Sequence, residues 1–103
     1  MSYIIVQYQN QEDLKVLLSL EQQLIDLTAK LFNKNITEII VDYQKFETYS
    51  ESRKILVRGE TSINNSNLLS EWANLIKKVL QNKVKDFGIK AYCVDSYWCE
   101  EDK

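Results

Sequence analysis

Proline and histidine are both absent from this chain of 103 residues, and glycine occurs only twice. Without histidine there is no Ser–His–Asp triad, no imidazole acid–base pair and no His-ligated metal site. No Walker-type or dinucleotide-binding glycine pattern occurs either, so phosphate cradles of that kind are excluded. With so little of either turn residue, tight hairpins lack material, and long regular elements joined by polar connections are expected. Cysteine is scarce as well. Cys93 and Cys99 form no disulfide framework; on one extended strand they would stand ~20 Å apart, beyond bridging distance. Neither has the CxxC spacing of a zinc site, nor an evident base or cation to make it a nucleophile. Free thiols in a reducing cytoplasm are the simplest reading.

Long apolar runs are missing too. Ile4-Ile5-Val6 is short, nothing approaches the ~20 residues of a membrane span, and Met1-Ser2-Tyr3 lacks a basic leader. The expectation is a cytoplasmic protein with no membrane partner. Lysine and arginine total 13 against 15 aspartates and glutamates, a net charge of −2. The one tight basic group, Lys77-Lys78 with Lys83 and Lys85, reads as the solvated face and favourable C-terminal end of a helix. No basic face for phosphate contacts is evident, and nucleic acid is not an expected partner.

The chain is 45% hydrophobic and 27% charged, an ordinary globular balance for one domain over 1–103. Tyr3 to Tyr8 reads as a strand. Asn10 is a candidate cap, with Glu12 and Asp13 in an acidic first turn. Leu17, Leu20, Leu24, Leu27 and Leu31 then recur at spacings of three and four, predicting one helix of about five to six turns. Asn33-Lys34-Asn35 ends it through a left-handed cap. Strands are expected over Thr37 to Tyr43 and Arg53 to Thr61, a second amphipathic helix over Leu68 to Leu80, and a final strand over Ile89 to Trp98. Gly88 is the expected stop before that strand.

The order is βαββαβ, and the halves, approximately 1–46 and 53–99, echo each other. Ile4-Ile5-Val6 matches Ile55-Leu56-Val57, and Leu24-Ile25 matches Leu75-Ile76, at the same offset. Two right-handed crossovers would give an α+β fold: one four-stranded mixed sheet with two helices on one face. The uncovered face would then expose Val, Ile or Tyr side chains. A second subunit is the natural cover, because large apolar patches are rare on monomers. Tyr and Cys side chains making that face tolerable is the alternative.

The element order, together with Ser19-Leu20-Glu21-Gln22-Gln23-Leu24-Ile25-Asp26-Leu27-Thr28-Ala29-Lys30, Asn33-Lys34-Asn35 and Thr37-Glu38-Ile39-Ile40-Val41, resembles the tautomerase superfamily. The likeness is to the macrophage migration inhibitory factor and hydroxymuconate isomerase branches. It implies a homotrimer, a small anionic substrate, keto–enol isomerisation and no cofactor. It also implies a mobile amino-terminal proline that shuttles a proton once the initiator Met is removed. Position 2 is Ser2 instead, and the family's glycine-rich segment is replaced by Tyr49-Ser50-Glu51-Ser52. The expected catalytic group is therefore the Ser2 amine, with an ordinary pKa of about 7.7–8.0, giving a weak or inactive isomerase of small carboxylic acids. Ser2 at a fraying terminus is the plainer alternative.

Lys34 matches a family lysine that holds the anionic substrate at the pocket mouth, and Tyr92 a pocket tyrosine on the last strand. A helix-terminal lysine and ordinary sheet packing are the structural alternatives. Asp42 and Asp95 on predicted strands are acid–base candidates only if buried. Tyr97-Trp98 suits an interface, and Glu100-Glu101-Asp102 a solvated tail. No metal site is expected. A ferredoxin-like interaction module, an immunity or regulatory protein for a basic partner, is the competing reading, since it shares the element order.

Overall fold

The computed structural model describes residues 2–46 and 54–94. Strand β1 (Ser2–Tyr8) leads to α1 (Gln11–Ser19) and α2 (Glu21–Phe32), a short 3₁₀ turn (Ile36–Glu38) and β2 (Ile39–Lys45). The second half runs β3 (Ile55–Thr61), α3 (Ser66–Leu80) and β4 (Phe87–Cys93). Asp95, Tyr97-Trp98, Cys99, the acidic tail and the 49–52 segment lie outside the described residues.

Local side chains set the helix ends. Asn10 caps α1 by accepting the Asp13 N–H at 2.9 Å, and Asn65 caps α3 by accepting the Leu68 N–H at 3.1 Å. The single long helix expected from the leucine stripe is two segments meeting at Leu20, whose φ of −98° and ψ of −3° leave α-helical geometry. Ser19 donates its hydroxyl to the Val16 carbonyl, a back-bond that bends helices. Leu17, Leu20 and Leu24 still face one core, so periodicity alone does not show the break. Asn33 ends α2 at φ 54°, as the Asn-Lys-Asn cluster predicts, and the Lys34 N–H closes onto the Ala29 carbonyl at 2.9 Å.

Two boundaries differ from expectation. Thr37 and Glu38 belong to the 3₁₀ turn, where the Asn35 N–H donates to the Glu38 carboxylate at 3.0 Å, so β2 begins only at Ile39. Gly88 lies inside β4 and is no terminator. The left-handed positions before β4 fall to Asn82 (φ 68°) and Asp86 (φ 54°), residue types that tolerate them.

The sheet order is β2-β1-β3-β4, with β1–β2 and β3–β4 parallel and β1–β3 antiparallel. Each βαβ half therefore pairs its own two strands side by side. A ferredoxin-like sheet splits those pairs, so that competing architecture is excluded. Ile4, Val6 and Tyr8 face the helices together with Ile55 and Val57, against Leu17, Leu24, Ile76 and Leu80. The opposite face carries Tyr3, Ile5 and Gln7 of β1 and no described helix.

The repeat offset holds for the strands and slips for the helices. Ile4 and Val6 are buried, as are Ile55 and Val57. In α2 the buried residue is Leu24, whereas in α3 it is Ile76, the match of Ile25. The two helices thus present faces one residue out of phase.

Candidate functional site at the start of the first strand

Register places Ile39 beside Ser2 and Tyr3 opposite Glu60, so Ser2 and Thr61 come together on the helix side of the sheet. The Ser2 hydroxyl donates to Thr61 Oγ1 at 2.9 Å, and the Ile63 N–H reaches the same oxygen at 3.3 Å. Both residues are buried, Ser2 to 1% exposure. Deeper in, Thr28 donates to the Leu24 carbonyl at 2.7 Å and accepts the Trp72 indole N–H at 2.9 Å. The six-membered ring of that indole packs against Gly59, where an added Cβ would come within 2.6 Å of it. Hydrogen bonds thus satisfy each hydroxyl, as buried polar groups require.

A cavity of about 10 Å³ lies between Ser2, Thr61, Thr28 and Trp72, roughly the minimum for one water. It is too small for a substrate. Thr28→Val keeps the shape but leaves the indole N–H without an acceptor. It should lower the unfolding free energy by about 1–3 kcal/mol in urea titrations, whereas Thr28→Ser should cost less. Equal losses for both variants would assign the effect to packing.

Of the candidates read from the sequence, Lys34 is half-buried in the link between α2 and β2, at the same end of the sheet as Ser2. Its backbone serves the helix end, and its side chain makes no ion pair among the described residues. Tyr92 is at that end too, in register with Glu60, but it lies on the open face and is 40% exposed. Ser2 and Tyr92 therefore stand on opposite sides of one sheet and do not converge within a chain. Asp42 is exposed and accepts the Gln44 amide at 2.9 Å, so it is not the buried carboxylate of an acid–base site.

Three features were not read from the sequence. Thr61 and Thr28 complete the buried hydroxyl cluster, and strict strand alternation could have placed Thr61 inward. Arg58 pairs with Glu60 at 3.6 Å on the open face, while its Nε is buried without a hydrogen-bond partner. The Tyr43 hydroxyl donates to Glu21 at 2.8 Å, tying β2 to the first turn of α2. Burial, then that hydrogen bond and the Glu21 charge, push the phenol well above its usual range, so it stays neutral and structural.

No protein-family model matches the chain, and no curated protein matches it by sequence. Solved structures do match it in shape. A domain of unknown function (DUF1904) from Sebaldella termitidis superposes with a TM-score of 0.75 at 11% identity, over 95% of this chain and 93% of that one. The macrophage migration inhibitory factor-like protein of Entamoeba histolytica gives 0.65 at 7% identity, over 93% and 89%. A fused 4-OT symmetric trimer gives 0.64 at 10% identity, over 92% and 87%.

The fold is tautomerase-like.

Identities this low carry architecture and not activity, since one fold hosts unrelated functions. Ser2 stands at the start of β1, and its hydroxyl is already engaged by Thr61. Among the described residues no helix is long and apolar enough to cross a membrane.

Proposed function

We propose that this chain forms a homotrimer and is a weak keto–enol isomerase of small carboxylic acids, acting in the cytoplasm without a cofactor. The observation that carries the assembly is the open face of the sheet. Tyr3, Ile40, Tyr92 and Val94 are 41%, 37%, 40% and 43% exposed, a large apolar surface for a free monomer. Register places Ile40 beside Tyr3 and Tyr92 beside Glu60 on that face. A neighbour of the same fold, the fused 4-OT protein, is a symmetric trimer, which supports that reading.

The chemistry follows from what remains when proline is replaced. With Met1 removed, the Ser2 amine is a base that can take the enol proton and return one to carbon. Lys34 would hold the carboxylate at the mouth of the site. Tyr92, on the far side of its own sheet, would reach the substrate only from a neighbouring subunit. The engaged Ser2 hydroxyl favours a slow rate, and because the cavity beside it is too small for a substrate, the substrate would bind only where subunits meet.

Enol-to-keto conversion of a phenylpyruvate-type substrate tests the reading. The rate should fall to background when the amino terminus is acetylated. Lys34→Ala should raise KM about tenfold with little change in kcat, the loss of about 1.4 kcal/mol of uniform binding. A rate indifferent to acetylation removes Ser2 from the mechanism. No turnover by a trimer beginning at Ser2 would leave the non-enzymatic interaction role in front.

A further inference from the structure

The core uses only part of the leucine stripe of the first half. Helix α2 buries Leu24, Thr28, Ala29 and Phe32, whereas Leu27 and Leu31 stay half-buried. With Leu75 of α3 they line an open groove of about 500 Å³ between the two helices, with no strand residue in its walls. Two charges complete the lining, Lys30 from the last turn of α2 and Glu71 from α3. Both are exposed, and although they share one groove, neither makes an ion pair among the described residues. An apolar groove rimmed by polar groups is the form that protein–protein contacts take.

We propose that a second copy of this chain occupies this groove, the two α2–α3 faces packing about a two-fold axis. A two-fold contact must be self-complementary, because both subunits present the same patch. Charge selects the partner. One base and one acid on a single patch meet that condition: Lys30 falls opposite the partner's Glu71, and Glu71 opposite the partner's Lys30. The leucines of both grooves are then covered between two ion pairs that stay at the rim, where desolvation costs little. A partner surface of one charge sign would fit only half of the groove, setting a like charge against either Lys30 or Glu71. The five groove residues supply much less than the ~800 Å² per partner of a standard interface, so the contact is a transient one that dilution reverses. Ser2, Lys34 and Tyr92 do not line the groove, and the contact is independent of the trimer and the activity proposed above.

Sedimentation velocity over a concentration series, at about physiological salt, tests this. The mass of the native chain should double as concentration rises, from one chain to two or from three chains to six. Glu71→Lys should raise the concentration at half-association by about tenfold or more, because each junction then opposes like charges twice. Lys30→Glu should do the same. Both residues are exposed, so the far-UV circular dichroism spectra should match that of the native chain. An equimolar mixture of the two single variants should recover the doubling, since a junction between unlike variants again pairs opposite charges at both positions. A mixture that fails to recover overturns the two-fold arrangement. Single variants that double as the native chain does overturn the groove as the contact. A native mass fixed at three chains at every concentration overturns this proposal and leaves the trimer standing. Doubling from a single chain, with no trimer, supports the groove and overturns the trimer instead.

Discussion

Replacing Trp72 with alanine should lower the unfolding free energy by about 3–5 kcal/mol, the range for deleting a buried aromatic ring. That is a large share of the roughly 5–15 kcal/mol a natural domain has. Trp72 is only 1% exposed and connects two layers. Its ring covers Gly59 of β3, and its indole N–H is held by Thr28 of α2. Truncation would empty the space over the sheet, leave Thr28 without its donor and loosen α3 from α2 together. Chemical denaturation followed by far-UV circular dichroism reads the loss without relying on tryptophan emission. A loss below about 1 kcal/mol would mean that the site collapses around the missing ring, and the ring would no longer count as the centre of the core.

Gly59→Ala is the smallest change with the next largest expected effect, about 2–3 kcal/mol of destabilisation. Alanine ordinarily suits a strand better than glycine. Here its Cβ would lie 2.6 Å from one indole carbon and 2.7 Å from another, inside contact distance. The ring cannot swing aside cheaply, because Thr28 fixes its N–H at 2.9 Å. The test is a double-mutant cycle. In a Trp72→Ala background, Gly59→Ala should become neutral or slightly stabilising, giving a coupling energy near the full single-mutant cost. Additive losses would place the strain elsewhere.

The same pair of residues shows how much could be read in advance. Ile4-Ile5-Val6 and Ile55-Leu56-Val57 announce strands because β-branched residues suit a pleated surface, and both triplets lie in observed strands. Asn33 announces a left-handed cap, which the structure has. The position of Trp72 in a helical stripe marks it as apolar, but nothing nearby in sequence says that it lies on Gly59. That contact depends on which strand lies under α3. Sheet order is a long-range property on which local periodicity is silent. Leu20 is a comparable case, since a break between two helices that share a core leaves the leucine spacing intact.

The candidate site was legible as an end of the molecule and not as an arrangement. Ser2, Lys34 and Tyr92 lie toward one end of the sheet, but Ser2 and Tyr92 are on opposite faces and do not converge within a chain. Alternation along Ser2, Ile4 and Val6 could have shown that the serine side chain points inward with the core. The partner it meets there, Thr61, is brought in by the antiparallel pairing of β1 with β3, which no local pattern encodes. Arg58 was equally quiet in sequence, one charge within an apolar strand, until register set it beside Lys90.

The sheet order has a consequence for how the chain acquires its shape. β2 and β3 follow one another in sequence yet are not neighbours, so among the described strands no hairpin exists to nucleate the sheet. Ser2 must find Ile39, Tyr3 must find Glu60, and Ile55 must find Phe87. Every pairing closes a long loop before it returns any contact energy. Folding is therefore expected in the slower part of the range for small domains, milliseconds to seconds. The two inner strands, β1 and β3, pair with each other across the two halves, so the sheet is complete only when both halves have come together.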